Sequence, residues 1–505
     1  MESSADNGEP TDRGEREIPG EPAIFFVVLR SAEPHPILLL EHVARLELVT
    51  MESHPEPLIC GYNVHREADR QAMLEVLGLT SVAELFSPIP QEVRLGRELR
   101  LPPPHGERAL GRHLRDLASR NASTRSHLSF LGGGFYEHHI PAVVDSLTSS
   151  ERLVTAYTPY QPEMSQGLLQ ILFEYQRMLS LLTGLPIVNS SLYDGATAMA
   201  EAAWMACAAT GRRRVLASSR IWPEWKSVLE LYMRGRGVEV AYVAADPASG
   251  QLDLRSLQES FTRPAATFIL QTPNSLGILE DIPAAADFCR QHGALLHVSC
   301  YPMMLALLKA PGELGADIVT CEGQPLGLPL SAGGPSLGVL ACATRLREFM
   351  PGRLVGEVRD IHGQPALALV MEWREQQVSR EKATSNICSN QAHQAMRAAI
   401  YLAALGERGL RELAAQCAAK ARYLHEKLLA IPGVVPAAAG PFFNEFALRL
   451  PCPVPVFLER MLDRRVFAGL EMEGNLLVAV TEVRARAELD EAAALFAETI
   501  GALRP

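Results

Sequence analysis

The chain has 505 residues, 48% of them apolar and 21% charged, an ordinary globular composition long enough for about two to three domains. Its net charge is −11 and its densest basic cluster is only Arg212–Arg214, so no basic face marks a nucleic-acid binder. The longest early apolar focus, Leu38–Leu40, falls far short of the ~20 residues that a membrane helix needs.

The acidic, polar N-terminus lacks a basic stretch followed by an apolar one, so no secretory signal is expected. Nine cysteines are scattered without a CxxC pair, which suits inert thiols in a reducing cytosol better than disulfides or zinc. A soluble, cytoplasmic protein is expected.

Residues 1–58 read as a disordered or weakly structured extension, rich at first in Glu, Asp, Ser, Gly and Pro, with Met51 as an alternative start. Residues 59–125 read as helical. Ala72, Leu74 and Leu77 predict a helix ended by Gly78, Ser81 and Glu84 a capping box, and Leu110, Leu114 and Leu117 a third helix. From 126 to 400 a large α/β domain is expected. Helices over 168–183, from Gly195 to Gly211 and over 283–292 alternate with apolar runs at Val215–Ala217, Val238–Val243, Thr267–Leu270, Leu295–Val298 and Asp317–Thr320. That alternation predicts a mostly parallel, doubly wound sheet. Residues 401–505 read as a smaller α+β domain, with helices over 409–430 and 486–500 and strands at Glu445–Leu450 and Leu476–Val480.

Ligands of an open α/β sheet bind outside the carboxyl ends of its strands. Asn274, Ser299, Glu322 and Gln324 stand at such ends, and Asp194-Gly195-Ala196-Thr197 opens a helix whose free N–H groups suit a phosphate. Taken singly, each is an ordinary turn or strand-end residue. Their joint order is similar to that of enzymes dependent on pyridoxal 5'-phosphate (PLP). PLP chemistry also needs a Schiff-base lysine and an acid facing the ring nitrogen. Ser299 stands where the acid belongs, and Gln324 and Pro325 where the lysine belongs. The five lysines are Lys226, Lys309, Lys382, Lys420 and Lys427, and none falls at that position. The pocket reads as vestigial.

Long stretches resemble subunit 1 of the two-subunit glycine cleavage P-protein. They include 130-FLGGGFYEHHIPAVVDSL-147, 155-TAYTPYQPEMSQGLLQ-170, 189-NSSLYDGATAMAEAA-203, 322-EGQPLGLPLSAGGPSLG-338 and 380-REKATSNICSNQA-392. The resemblance runs from about Tyr62 to the C-terminus. Ser275-Leu276, Gly132–Gly134 and Cys300-Tyr301 depart from the family pattern. The resemblance implies a fold type I PLP-dependent transferase and a heterotetramer with two of each chain. It implies an enzyme that decarboxylates glycine, releases carbon dioxide and passes the aminomethyl group to the lipoyl arm of the H-protein. PLP would then be carried by the lysine-bearing subunit 2, with none bound covalently here and no catalytic residue in this chain alone.

Two motifs are too polar to be core filler. Tyr157, Thr158, Pro159, Tyr160 and Gln161 put directed donors on a proline-stiffened segment, although tyrosines also serve as interface anchors. Arg380 and Lys382, with Thr384, Ser385 and Asn386, suit a carboxylate or phosphate; the alternative is an ion-pair network with Glu372, Glu375 and Glu381. These ten are candidates to contact substrate or the partner's site. His138 and His139 are adjacent, so their side chains should diverge, and no metal is expected. Two other functions fit the scaffold: a free-standing pseudoenzyme that senses a ligand, and a self-sufficient aminotransferase, which Ser299 and Gln324 disfavour.

Overall fold

The computed structural model describes residues 65–154, 158–387 and 390–504. The expected N-terminal extension and Tyr157 lie outside the described residues. Backbone contacts divide the chain after His105. In the first unit, helix α1 (Glu67–Leu77) ends on Gly78 in the left-handed region, as the sequence pattern expects. The Ser81–Glu84 pattern opens only a short 3-10 turn, Val82–Phe86. Glu84 Oε1 accepts from the Thr80 N–H at 3.1 Å and from the Ser81 hydroxyl at 3.2 Å. Pro88 and Pro90 follow directly and cannot continue a helix.

In the second unit, helix α2 (Glu107–Ala118) carries Leu110, Leu114 and Leu117, all exposed. The centre of this unit is a seven-stranded sheet. Its strands in chain order are β1 (Ile187–Val188), β2 (Arg214–Ser218), β3 (Glu239–Val243), β4 (Thr267–Thr272), β5 (Leu295–Cys300), β6 (Ile318–Glu322) and β7 (Gly338–Cys342). They lie in the order β1-β7-β6-β5-β4-β2-β3. The five strands from β2 to β6 pair in parallel, and β7 pairs antiparallel with β1 and β6. All five expected strands are present. The run that became β7 follows a glycine- and proline-rich turn and was not anticipated.

Helices α3 (Gln166–Thr183), α4 (Gly195–Thr210), α5 (Pro223–Gly235) and α6 (Ile282–His292) alternate with the strands. The strands β2, β4, β5, β6 and β7 are buried throughout, as expected of a sheet covered on both faces. One core cluster holds α3 residues such as Leu169, Leu172 and Tyr175, a second holds most of α4, and a third includes Leu424, Phe457 and Phe496. Each fully buried Leu or Phe side chain stabilises the fold by about 1.5–3 kcal/mol.

The late helix is longer than the pattern suggested. Helix α7 spans Ala392–Leu429, broken at Gly406, where φ is +60°. Only its second half was legible. A hairpin, β8 (Val355–Arg359) with β9 (Pro365–Leu369), precedes it. A four-stranded antiparallel sheet follows, made of β10 (Val435–Pro436), β11 (Glu445–Arg449), β12 (Leu470–Met472) and β13 (Asn475–Ala479) in the order β10-β11-β13-β12. Helices α8 (Val454–Asp463) and α9 (Arg486–Leu503) complete this region. No helix among the described residues is long and apolar enough to cross a membrane.

Candidate functional site

The carboxyl ends of β4, β5 and β6 meet the start of α4, as the topology of an open sheet demands. Asp194 caps α4, its Oδ1 accepting from the Thr197 N–H at 2.7 Å. The Gly195 N–H donates instead to Glu322 Oε2 at 2.9 Å. The other oxygen of Glu322 accepts from the Gln324 N–H at 2.9 Å and from the Ser336 hydroxyl. Burial pushes the Glu322 carboxyl up to about 7, against the pull of these donors.

Gln324 is held by three bonds. Its Oε1 accepts from the Tyr136 N–H at 2.9 Å, and its amide donates to the carbonyls of Tyr136 at 3.1 Å and Leu328 at 2.9 Å. Asn274 is equally committed. Its amide donates to Gly250 O and Glu280 Oε1, while its oxygen accepts from the N–H groups of Leu276 and Ile278. Ser299 is buried at the mouth of β5.

What remains between these strand ends is a cavity of about 10 Å³, lined by Ser299 and Glu322 and by the rings of Trp222, Trp225, Tyr136 and Tyr301. That is the room one water needs. Trp225 meets Trp222 edge-on with ring centroids 5.3 Å apart. A Cβ on Gly195 would lie 2.3 Å from the Trp225 ring, so only glycine admits this packing.

These residues do not fit PLP. The helix N-terminus already holds a carboxylate, the acid position is a serine, and the space is filled by aromatic rings. None of the five lysines lines the cavity. Lys226 donates to Ser219 O at 2.5 Å, Lys420 to Glu482 O, and Lys427 pairs with Asp490 at 2.8 Å, while Lys309 and Lys382 are exposed.

A second cavity, of about 820 Å³, is open to solvent. It brings Thr158, Tyr160 and Gln161 together with Arg380 and Asn386, which are more than 200 positions away in the chain, and adds Arg353, Leu369, Gln376, Gln377 and Glu381. Gln166 fixes one wall by donating to Leu367 O at 2.8 Å and accepting from the Leu367 N–H at 2.9 Å. That ties the start of α3 to the hairpin. Arg353 lies over the Tyr160 ring at 5.7 Å and pairs with Glu375 at 3.3 Å. Arg374 approaches the same carboxylate at 3.7 Å. Burial raises the Glu375 carboxyl above its usual range in spite of both cations.

The ion pairs on Glu375 are thus made by Arg353 and Arg374, which sequence reasoning did not single out. Arg353 stands in 350-MPGRLVG-356, where nothing local distinguishes it. Of the candidates in the second motif, Lys382 is exposed, Ser385 is buried, and Thr384 donates its N–H to Arg374 O at 3.2 Å. Pro159 is half-buried beside Tyr160. Arg380 has φ +49° and ψ −121°, a conformation costing a non-glycine residue about 1–3 kcal/mol and found mainly at functional sites.

The adjacent histidines do diverge, but His138 enters a cluster that its spacing did not suggest. Its Nδ1 lies 2.6 Å from Glu482 Oε2 and its Nε2 lies 2.5 Å from the Tyr301 hydroxyl, with Cys417 Sγ 3.5 Å from the same Glu482 oxygen. The His139 N–H donates to Glu482 Oε1 at 2.7 Å. Hydrogen bonding takes both ring nitrogens of His138 and both oxygens of Glu482. Burial alone would raise the Glu482 carboxyl, but the hydrogen bond and charge of His138 outweigh it and hold the carboxyl low.

The pattern of the glycine cleavage system P-protein family matches residues 61–496. The chain belongs to that family. Members with similar sequences include a probable glycine dehydrogenase (decarboxylating) subunit 1 from Moorella thermoacetica, 46% identical over 430 residues, covering 84% of this chain and 96% of that protein. The protein of the same description from Oceanobacillus iheyensis is 44% identical over 84% of this chain and 95% of its own length. A P-protein family crystal structure, glycine decarboxylase of the glycine cleavage system in inhibitor-bound form, superposes with a TM-score of 0.80 at 39% identity. It covers 87% of this chain and 100% of that one. More distant likenesses show the fold alone. A sphingosine-1-phosphate lyase from Burkholderia pseudomallei, 17% identical over 82% of this chain and 95% of that one, superposes with a TM-score of 0.61. The P-protein family thus shares the PLP-dependent type I fold expected from the sequence.

Proposed function

We propose that this chain is the subunit of a two-chain, glycine-decarboxylating P-protein that does not carry PLP. PLP sits on a lysine of the partner subunit, two of each chain assemble, and the lipoyl arm of the H-protein receives the aminomethyl group while carbon dioxide is released. Within this reading residues 126–400 form the large domain and 401–505 the small one, and the assembly is cytoplasmic. The free-standing pseudoenzyme is disfavoured by relatives described as subunit 1 of an enzyme.

One contrast carries the proposal. The chain's own cofactor position is closed by Glu322 and four aromatic rings, while two remote polar motifs converge on an open cavity. There Arg353 and Arg380 attract an anionic group, Arg353 held in place by Glu375 and by Tyr160. Tyr160 and Gln161 offer donors on a segment that has little entropy left to lose. These groups bind and orient what the partner's site acts on.

The experiment is borohydride reduction of the co-purified pair with PLP and glycine, followed by peptide mass mapping. PLP trapped on the partner supports the proposal. PLP trapped on a lysine of this chain, with carbon dioxide released by this chain alone, overturns it.

A further inference from the structure

We infer that Glu322 is a built-in stand-in, whose carboxyl oxygens fill the place at the start of α4 that the phosphate of a cofactor would need. The first turn of a helix leaves backbone N–H groups without intrahelical partners, and their dipoles favour negative charge. α4 is 16 residues long and opens at the carboxyl edge of the sheet. Its first N–H, from Gly195, is aimed at Glu322. The Ser336 hydroxyl and the Gln324 N–H complete a set of three donors around one carboxylate. Glu322 is 4% exposed, so no solvent competes for these donors.

The sheet register brings the parts together. Glu322 is the last residue of β6 and pairs with Gly338, the first of β7. That antiparallel pairing carries Ser336, two residues before β7, back over the carboxylate. Gly338 in turn bridges to Leu192, just before the cap of α4. Nothing larger than the carboxylate fits, because Trp225 closes on Gly195 and the remaining cavity has the size of one water. The chain is therefore barred from loading a phosphorylated cofactor by its own side chain, in addition to lacking a lysine. The inference concerns this position of this chain alone, so its test is separate from the borohydride experiment, which reads every lysine of both chains.

The test compares thermal midpoints of the purified full chain at pH 8, in formate or chloride of equal ionic strength. Glu322→Ala leaves a carboxylate-sized hole facing three donors. Its midpoint is expected to fall and then to rise saturably with formate but not with chloride. Wild type, and Glu322→Gln, in which the hole is filled, are expected to show no formate-specific rise. Glu322→Gln itself is expected to melt several degrees below wild type, because its amide turns an N–H group toward donors that need an acceptor, and this comparison decides the matter if Glu322→Ala does not fold. Glu322→Gln melting with wild type, Glu322→Ala indifferent to formate, or a saturable rise of the wild-type midpoint with inorganic phosphate or PLP would each overturn the inference.

Discussion

Trp225→Ala tests whether the space at the carboxyl ends of β4, β5 and β6 is packed core or a pocket with a movable lid. The Trp225 side chain is 6% exposed, lies against Gly195 and meets Trp222 edge-on at 5.3 Å. If that space is core, the substitution forfeits the buried ring and leaves a cavity, a loss of about 3–5 kcal/mol for a buried aromatic residue. Of that, about 0.5–1.5 kcal/mol comes from the ring pair itself. Such a loss is a large fraction of the roughly 5–15 kcal/mol that holds a domain folded. The assay is urea unfolding followed by far-ultraviolet circular dichroism, with tryptophan emission as a second probe. A cost below about 1 kcal/mol would refute the reasoning, because it would mean that the ring sits loosely over usable space.

Three other outcomes are expected. Gly277→Ala should be strongly destabilising, because φ is +79° and the new Cβ would lie 2.2 Å from Glu445 O. Strain of about 1–2 kcal/mol adds to a backbone collision of about 1–3 kcal/mol. Gly211→Ala, with φ +69° but nothing within 4 Å, should cost only the strain; equal urea midpoints for the two variants would contradict this. Arg380→Gly should stabilise the chain by about 1 kcal/mol by relieving the backbone, while lowering the glycine–bicarbonate exchange of the assembled enzyme roughly tenfold or more. An unchanged or lower urea midpoint would count against the strain, and unchanged exchange against the cavity. Finally, burial pushes Glu280, Glu322 and Glu445 each up to about 7 from a usual value of 4.5. A carboxyl raised by folding binds more protons when folded, so its stabilising contribution is complete below about 4.5 and is lost as pH rises through about 7. The urea midpoint should therefore fall between pH 5 and pH 8, and a midpoint that rises over this window would show that these carboxyls are not raised.

The sequence by itself determined what is local or countable. Alternating apolar runs and capped helices predicted the parallel strands, because burial on both sheet faces leaves a continuous apolar signature. Asp194 before Gly195 marked the cap of α4, and five lysines could be placed one by one. β7 and the first half of α7 were missed: β7 follows the Gly/Pro-rich turn 333–335, and Gly406 interrupts the helical pattern. Only the tertiary structure decided which distant residues meet. Glu322 reaches Gly195 across 127 positions, and Arg353 joins Tyr160 across nearly 200, through strand register and hairpin packing that no local period encodes. That no lysine follows the strand ending at Glu322 was legible at once, but that Glu322 meets the start of α4 beneath four aromatic rings emerged only once the chain was folded.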